Sequence, residues 1–183
     1  MIVVVLLAST AVFAASGQAL PAQGSSGGIG TVVIPHVDSA PTLEEAAAGL
    51  LPEAGVVTDF RQNQPGDGSA ASLSTVAHVS YDDKNLYVIF DCAEDADHVR
   101  ARLAKREDIR DDDQVLVYLD TFRDRRRAYV FGVNPLGVQR DGILTEGQEI
   151  DYAYDTVWRS EAKLTGRGFT VLIAIPFKSL MFS

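Results

Sequence analysis

From residue 55 onward, apolar and polar residues alternate with a period of two in one short run after another, separated by Gly, Pro, Asn and Asp. This is the pattern of strands with one buried face. The runs predict strands over 56–62, 74–81, 86–92, 114–120, 128–134, 138–144, 156–164 and 169–175. In "LYVIFDC" both alternating faces are apolar down to Phe90, so that strand is expected at a sheet centre, covered on each side. "DDKN" at 82–85 and "GRG" at 166–168 predict compact antiparallel hairpins. Asn134-Pro135-Leu136-Gly137 predicts a β-turn, because Pro presets φ at the second position and Gly suits the fourth. Two stretches break the period: "TLEEAAAGLL" at 42–51 and "DADHVRARLAK" at 95–105 read as short helices, with acids early and, in the second, bases late. The fold class is therefore all-β, a jelly-roll or immunoglobulin-like β-sandwich with one or two short helices.

Register follows from the same pattern. Burying Val115, Val117 and Leu119 against Tyr129, Phe131 and Val133 fixes the pairing of two neighbouring strands, since a slip of one residue would turn either set outward. Gln114, Leu116, Tyr118, Asp120, Gly132 and Asn134 then share the opposite face. That mixed face is where a ligand is expected.

The amino-terminal 22 residues have another character. An apolar run over 2–13, followed by small residues and a cleavage site after Ala19, reads as an export signal. The run is shorter than the roughly 20 residues of a membrane-spanning helix. No Lys or Arg precedes it. "QGSSGGIG" at 23–30 has linker composition, leaving 31–183 as one domain. The expected location is the periplasm or the outer-membrane surface. Cys92, the only cysteine, forms no internal disulfide and offers no lipid-anchor site after the signal, and its strand context predicts a buried structural thiol.

Composition narrows the chemistry. At 183 residues, 46% hydrophobic and 22% charged, the chain is one folded domain, and its net charge of -9 at pH 7 disfavours nucleic acid as a partner. No phosphate loop, nucleophile elbow or His-Glu-x-x-His occurs, and His36, His78 and His98 are too scattered for a zinc set. Acid clusters at Asp111, Asp112 and Asp113 and at Glu146, Glu149, Asp151 and Asp155 have the oxygens Ca²⁺ requires, in neither case with EF-hand spacing. The second cluster also offers candidates for the paired carboxylates that a glycoside hydrolase requires. The arginines of "TFRDRRR" at 121–127 lie in a loop, where solvation and a polyanion or carboxylate site are the two readings. Trp158, the only tryptophan, is either core or a stacking platform for a pyranose.

Four stretches together, "VTDFRQNQPGDGSAAS", "VSYDDKNLYVIFDC", "DDDQVLVYLDTFRDRRRAYVFGVNPLGVQRDG" and "DTVWRSEAKLTGRGFTVLIAIPFKSL", resemble the family 9-like carbohydrate-binding domain, in the version found at the front of large bacterial outer-membrane β-barrel proteins. The likeness spans most of 56–182 and implies a jelly-roll sandwich. It also implies that a barrel region follows and that this chain is truncated after "IPFKSLMF". Sugar-binding members resemble Trp-Glu-x-Asp-x-Val-Glu before the strand ending at Asp120 and Phe-Arg-Val-Asn on the next. Here Asp113 and Asn134 match, while Arg110 stands for the Trp, Leu116 for the Glu and Gly132 for the Arg. Losing a charged partner in a buried site forfeits about 2–5 kcal/mol, so the family's sugar contacts are expected in altered form. The resemblance implies a non-catalytic polysaccharide- or oligosaccharide-binding domain with Trp158, Asp113, Asn134, Arg110 and Gln114 as contacts and Ca²⁺ as a possible resident ion. A docking module for the barrel that binds no sugar, and a glycoside hydrolase fragment, stand as alternatives.

Overall fold

A computed structural model describes residues 3–9, 31–51, 53–62, 68–95 and 97–182, with the backbone alone for 3–9. Two antiparallel sheets face each other. The first has the order β1(Val3–Ser9), β5(Gln114–Asp120), β6(Arg127–Val133), β7(Gln139–Thr145), and the second β2(Gly55–Val57), β3(Thr75–Tyr81), β4(Asn85–Ala93), β9(Gly168–Pro176), β8(Arg159–Thr165). The all-β sandwich read from the alternation is the observed fold. β1, which falls within the expected export signal, pairs with β5 from Val3↔Asp120 to Ser9↔Gln114. The expected linker at 23–30 lies outside the described residues.

The inner faces form one core. Val115, Val117 and Leu119 pair with Val133, Phe131 and Tyr129, in the register the alternation requires, and all six pack against Val88, Phe90, Val171 and Ile173 of the second sheet. Burial of each large side chain contributes about 1.5–3 kcal/mol, and a one-residue slip would forfeit the whole set. β4 is apolar on both faces because it is covered twice. Its outer residues Tyr87 and Ile89, with Leu172 and Ala174 of β9, pack under α1(Leu43–Ala47) through Leu43 and Ala46. That helix starts at a capping box, with the Thr42 hydroxyl accepting from the Glu45 N–H and the Glu45 carboxylate accepting from the Thr42 N–H.

The turns are as expected. Asp82 N–H donates to the Asn85 carbonyl, and Gly137 N–H donates to the Asn134 carbonyl with Gly137 at φ 82°. A helix over 95–105, by contrast, does not form. The stretch runs without helical structure from Val99 to Lys105, its Arg100 and Arg102 N–H groups donating to the Asp113 and Asp112 carboxylates, while Asp113 N–H donates to the Arg100 carbonyl. An eleven-residue helix is marginal in water, and these bonds to buried anions outweigh it. No helix among the described residues is long and apolar enough to cross a membrane.

Candidate functional site

The side chains expected to bind a ligand divide between two places. The first is the end of the sandwich where β5 begins and β6 ends. Asn134, fully buried, donates through Nδ2 to the Arg102 carbonyl and to Asp112 Oδ2, both at 2.9 Å, and accepts through Oδ1 from the Leu136 and Val138 N–H groups. Asp112 also takes the Arg102 Nε at 2.9 Å. Burial pushes its carboxyl up, but the bonds from Asn134 and Arg102 outweigh that and hold it below the ordinary value. Asp113 accepts from the Arg100 N–H at 2.8 Å with the Arg100 guanidinium 3.8 Å away. Deeper in, Asp141 accepts from the Arg106 guanidinium and from the Thr156 N–H. Every one of these acids is satisfied by the chain itself. Asp113 and Asn134 therefore pin the 100–102 segment across the end of the sheets, and Asn134 spends both its amide protons and both its lone pairs there.

Trp158 belongs to the core. It is 4% exposed, meets Phe131 edge-on at 5.2 Å, and has the Arg106 guanidinium 5.9 Å from its ring. Neither ring face is open to a sugar. The two acid clusters also disperse. Asp111 is exposed while Asp112 and Asp113 turn inward, Glu146 pairs with Arg126, Asp155 pairs with Arg106, and Asp151 accepts from the Ala153 N–H. No three His, Cys, Asp or Glu side chains converge to hold a metal among the described residues. In the 121–127 loop, Asp120 accepts the N–H groups of Phe122, Arg123 and Arg125, which fixes Arg123 and Arg125 at φ 57° and 56°. Its arginines are exposed. Arg127 stacks on Phe122 and pairs with Asp124.

The second place is the outer face of the first sheet, the mixed face expected from the register. Leu116, Gly132 and Arg140 stand in one row across β5, β6 and β7, with Tyr118, Val130 and Gly142 in the next. Both glycines are needed for close approach. A Cβ on Gly132 would meet Leu116 Cδ2 at 2.8 Å, and one on Gly142 would meet the Asp151 carbonyl at 2.7 Å and Ile150 Cγ2 at 2.9 Å. The 150–152 segment, whose Asp151 bridges Ile143 at the edge of β7, can thus approach Gly142 closely and set Tyr152 against Arg140, whose Cζ is 3.6 Å from the ring centroid. At that separation the guanidinium and the ring lie face to face.

Arg140 is 7% exposed, its Nε has no hydrogen-bond partner, and its guanidinium forms no ion pair with any described residue. Burial draws it below its ordinary value, with Tyr152 opposing and the like charge of Arg110 reinforcing the effect. Burial raises the phenols of Tyr118 and Tyr152, and each feels the Arg140 charge. Gln114 donates from Nε2 to the Ile109 carbonyl at 3.4 Å, leaving its buried Oε1 unpartnered.

Of the five expected contacts, Gln114 and Arg110 belong to this face or its rim, whereas Asp113, Asn134 and Trp158 do not. Arg140, Tyr118 and Tyr152 complete it. Arg140 stands directly opposite Gly132 on the neighbouring strand and so shares its face. Parity along β7 was the available signal, since Arg140 and Gly142 alternate with Asp141 and Ile143. Comparison of the chain with family models, with curated proteins and with solved structures found no match.

Proposed function

We propose that this chain is a non-catalytic, exported carbohydrate-binding domain whose contact surface is the outer face of strands β5, β6 and β7. One observation carries the reading: two half-buried tyrosines lie near a buried arginine with unspent donors, on a sheet face that also carries a second unpartnered polar atom, Gln114 Oε1. Saccharides present apolar C–H faces together with many hydroxyls, so they bind where aromatic rings and fixed polar groups adjoin. The likeness of the four sequence stretches to the family 9-like domain supports the same reading.

Glycan arrays of plant, algal and bacterial polysaccharides, followed by calorimetry with the full chain, test it. Retention of at least one class is expected, with Tyr118→Ala and Tyr152→Ala each weakening it about three- to tenfold, the usual worth of an aromatic contact. Silence across all three classes would sink the reading.

A second reading, a docking module for an outer-membrane barrel, is favoured by the edge of β5, which takes up the apolar Val3–Ser9 strand in continuous antiparallel register. Capture of a purified barrel region by a domain silent towards every glycan would decide for it.

A further inference from the structure

We infer that the ligand of the outer face carries a carboxylate, which makes it a uronic-acid saccharide; the inference rests on the carbohydrate-binding reading above. Five charged residues are buried among the described ones: Asp112, Asp113, Asp120, Asp141 and Arg140. The three acids Asp112, Asp113 and Asp141 each have an arginine, and Asp120 has three backbone N–H groups. Arg140 alone has no ion-pair partner or hydrogen-bond acceptor at contact distance: the charge of Glu107 acts on it only from beyond ion-pair range, and its close neighbour is the π face of Tyr152. A buried charge without a partner is costly, and its removal from water is offset when an anion supplies both charge and acceptors.

The nearby groups do not supply that anion. Glu107 is occupied by the Asp141 N–H at 3.1 Å and by Arg106 at 3.4 Å, and lies beyond ion-pair distance of Arg140. Arg110, exposed and without an ion pair among the described residues, adds a second positive charge that acts on both Arg140 and Tyr152. Like charges repel, and an anion held at Arg140 offsets the Arg110 charge. Stacking on Tyr152 leaves the in-plane N–H groups of Arg140 as its free donors. That planar fork matches a planar carboxylate in bidentate fashion, which a hydroxyl does not. The tyrosine rings then face the pyranose carbons.

The net charge of -9 repels long polyanions, so short oligosaccharides are the appropriate probes. Calorimetry of the full chain would compare oligogalacturonate, oligomannuronate and oligoglucuronate with their methyl esters, which keep the sugar and remove the charge, and with a sulfated oligosaccharide. At least one uronate is expected to bind tenfold or more tighter than its own ester and than the sulfated sugar. Arg140→Gln and the exposed Arg110→Ser, each checked for an unchanged unfolding temperature, are expected to reduce that preference at least tenfold and threefold, respectively. Equal binding of acid and ester, equal binding of the sulfated sugar, or a preference that survives both substitutions would overturn the carboxylate assignment while leaving a saccharide site in place. No binding by any saccharide, neutral ones included, would overturn the assignment and the carbohydrate reading together.

Discussion

Because the chain has a single tryptophan, Trp158, its place in the sandwich can be tested in isolation. The indole fills the gap between the sheets beside Phe131, with its Nε1 buried and unpartnered. Trp158→Ala removes the largest side chain of the core and leaves a cavity, at a cost of about 3–5 kcal/mol. For a domain of this size each kcal/mol lowers Tm by about 2–4 °C, giving a fall of about 6–20 °C. Trp158→Phe behaves differently. It also loses volume, but it eliminates a buried donor whose lack of an acceptor costs about 1–3 kcal/mol, so the two changes largely cancel and a net loss under about 2 kcal/mol is expected. Calorimetric or circular-dichroism melts of the three proteins measure both numbers. The same residue reports on function through its fluorescence, with blue-shifted emission, poor quenching by iodide and no change on adding saccharide expected in the wild type. A ligand-dependent change in emission together with a Trp158→Ala melt unchanged from wild type would show that the ring serves as a binding platform and would refute the packing argument.

Gly168 occupies φ 134°, and a Cβ there would meet the Cys92 carbonyl at 2.0 Å and the Glu94 N at 2.6 Å, so Gly168→Ala is expected to destabilise by about 2–5 kcal/mol in a urea titration. Asp112 has a folded pKa below its ordinary 3.8, so its contribution is complete above pH 3.8 and is lost as pH falls through the lower folded value. Stability should therefore drop below pH 3.8 in the wild type, and Asp112→Asn should flatten part of that drop; an unchanged acid limb would contradict the Arg102–Asn134 pinning. Burial pushes the Cys92 thiol up to about 12, so a thiol reagent at pH 8 should modify it only in denaturant, and rapid labelling of the native protein would disprove its burial.

The fold was legible because its determinants are local. Alternation in "QVLVYLD" and "AYVFGV" sets which residues turn inward, and the turn chemistry of 82–85 and 134–137 sets where the chain reverses. The two-sided burial of β4 was legible from its unbroken apolar run. What covers its outer face was half legible: the 42–51 stretch read as a helix, and its docking on Tyr87 and Leu172 is a tertiary fact. The 95–105 stretch was misread for the opposite reason. Its charge order suits a helix, but its structure is decided by Asp112 and Asp113, which are distant in sequence and take its N–H groups.

The candidate site followed the same division. Gln114, Leu116, Tyr118 and Gly132 were placed on one face by parity alone. Arg140 was hidden because β7 reads "QRDGILT", where Asp141 turns inward to meet Arg106, 35 residues earlier, and so breaks the apolar period. Tyr152 reaches the face only because Gly142 lets the 150–152 segment lie close. Asp113 and Asn134 matched the resembled family's pattern, yet both are buried and bonded to the 100–102 segment, an outcome set by hydrogen-bond partners that no spacing rule reveals.

Amide chemical-shift mapping during titration with each of oligogalacturonate, oligomannuronate and oligoglucuronate tests the central claim most directly. Shifts are expected to cluster on Leu116, Tyr118, Gly132, Arg140 and Tyr152, with Trp158 and the 121–127 loop unmoved. Shifts confined to Trp158 or to that loop, or a spectrum unchanged by all three uronates, would contradict the assignment of this sheet face as the ligand surface.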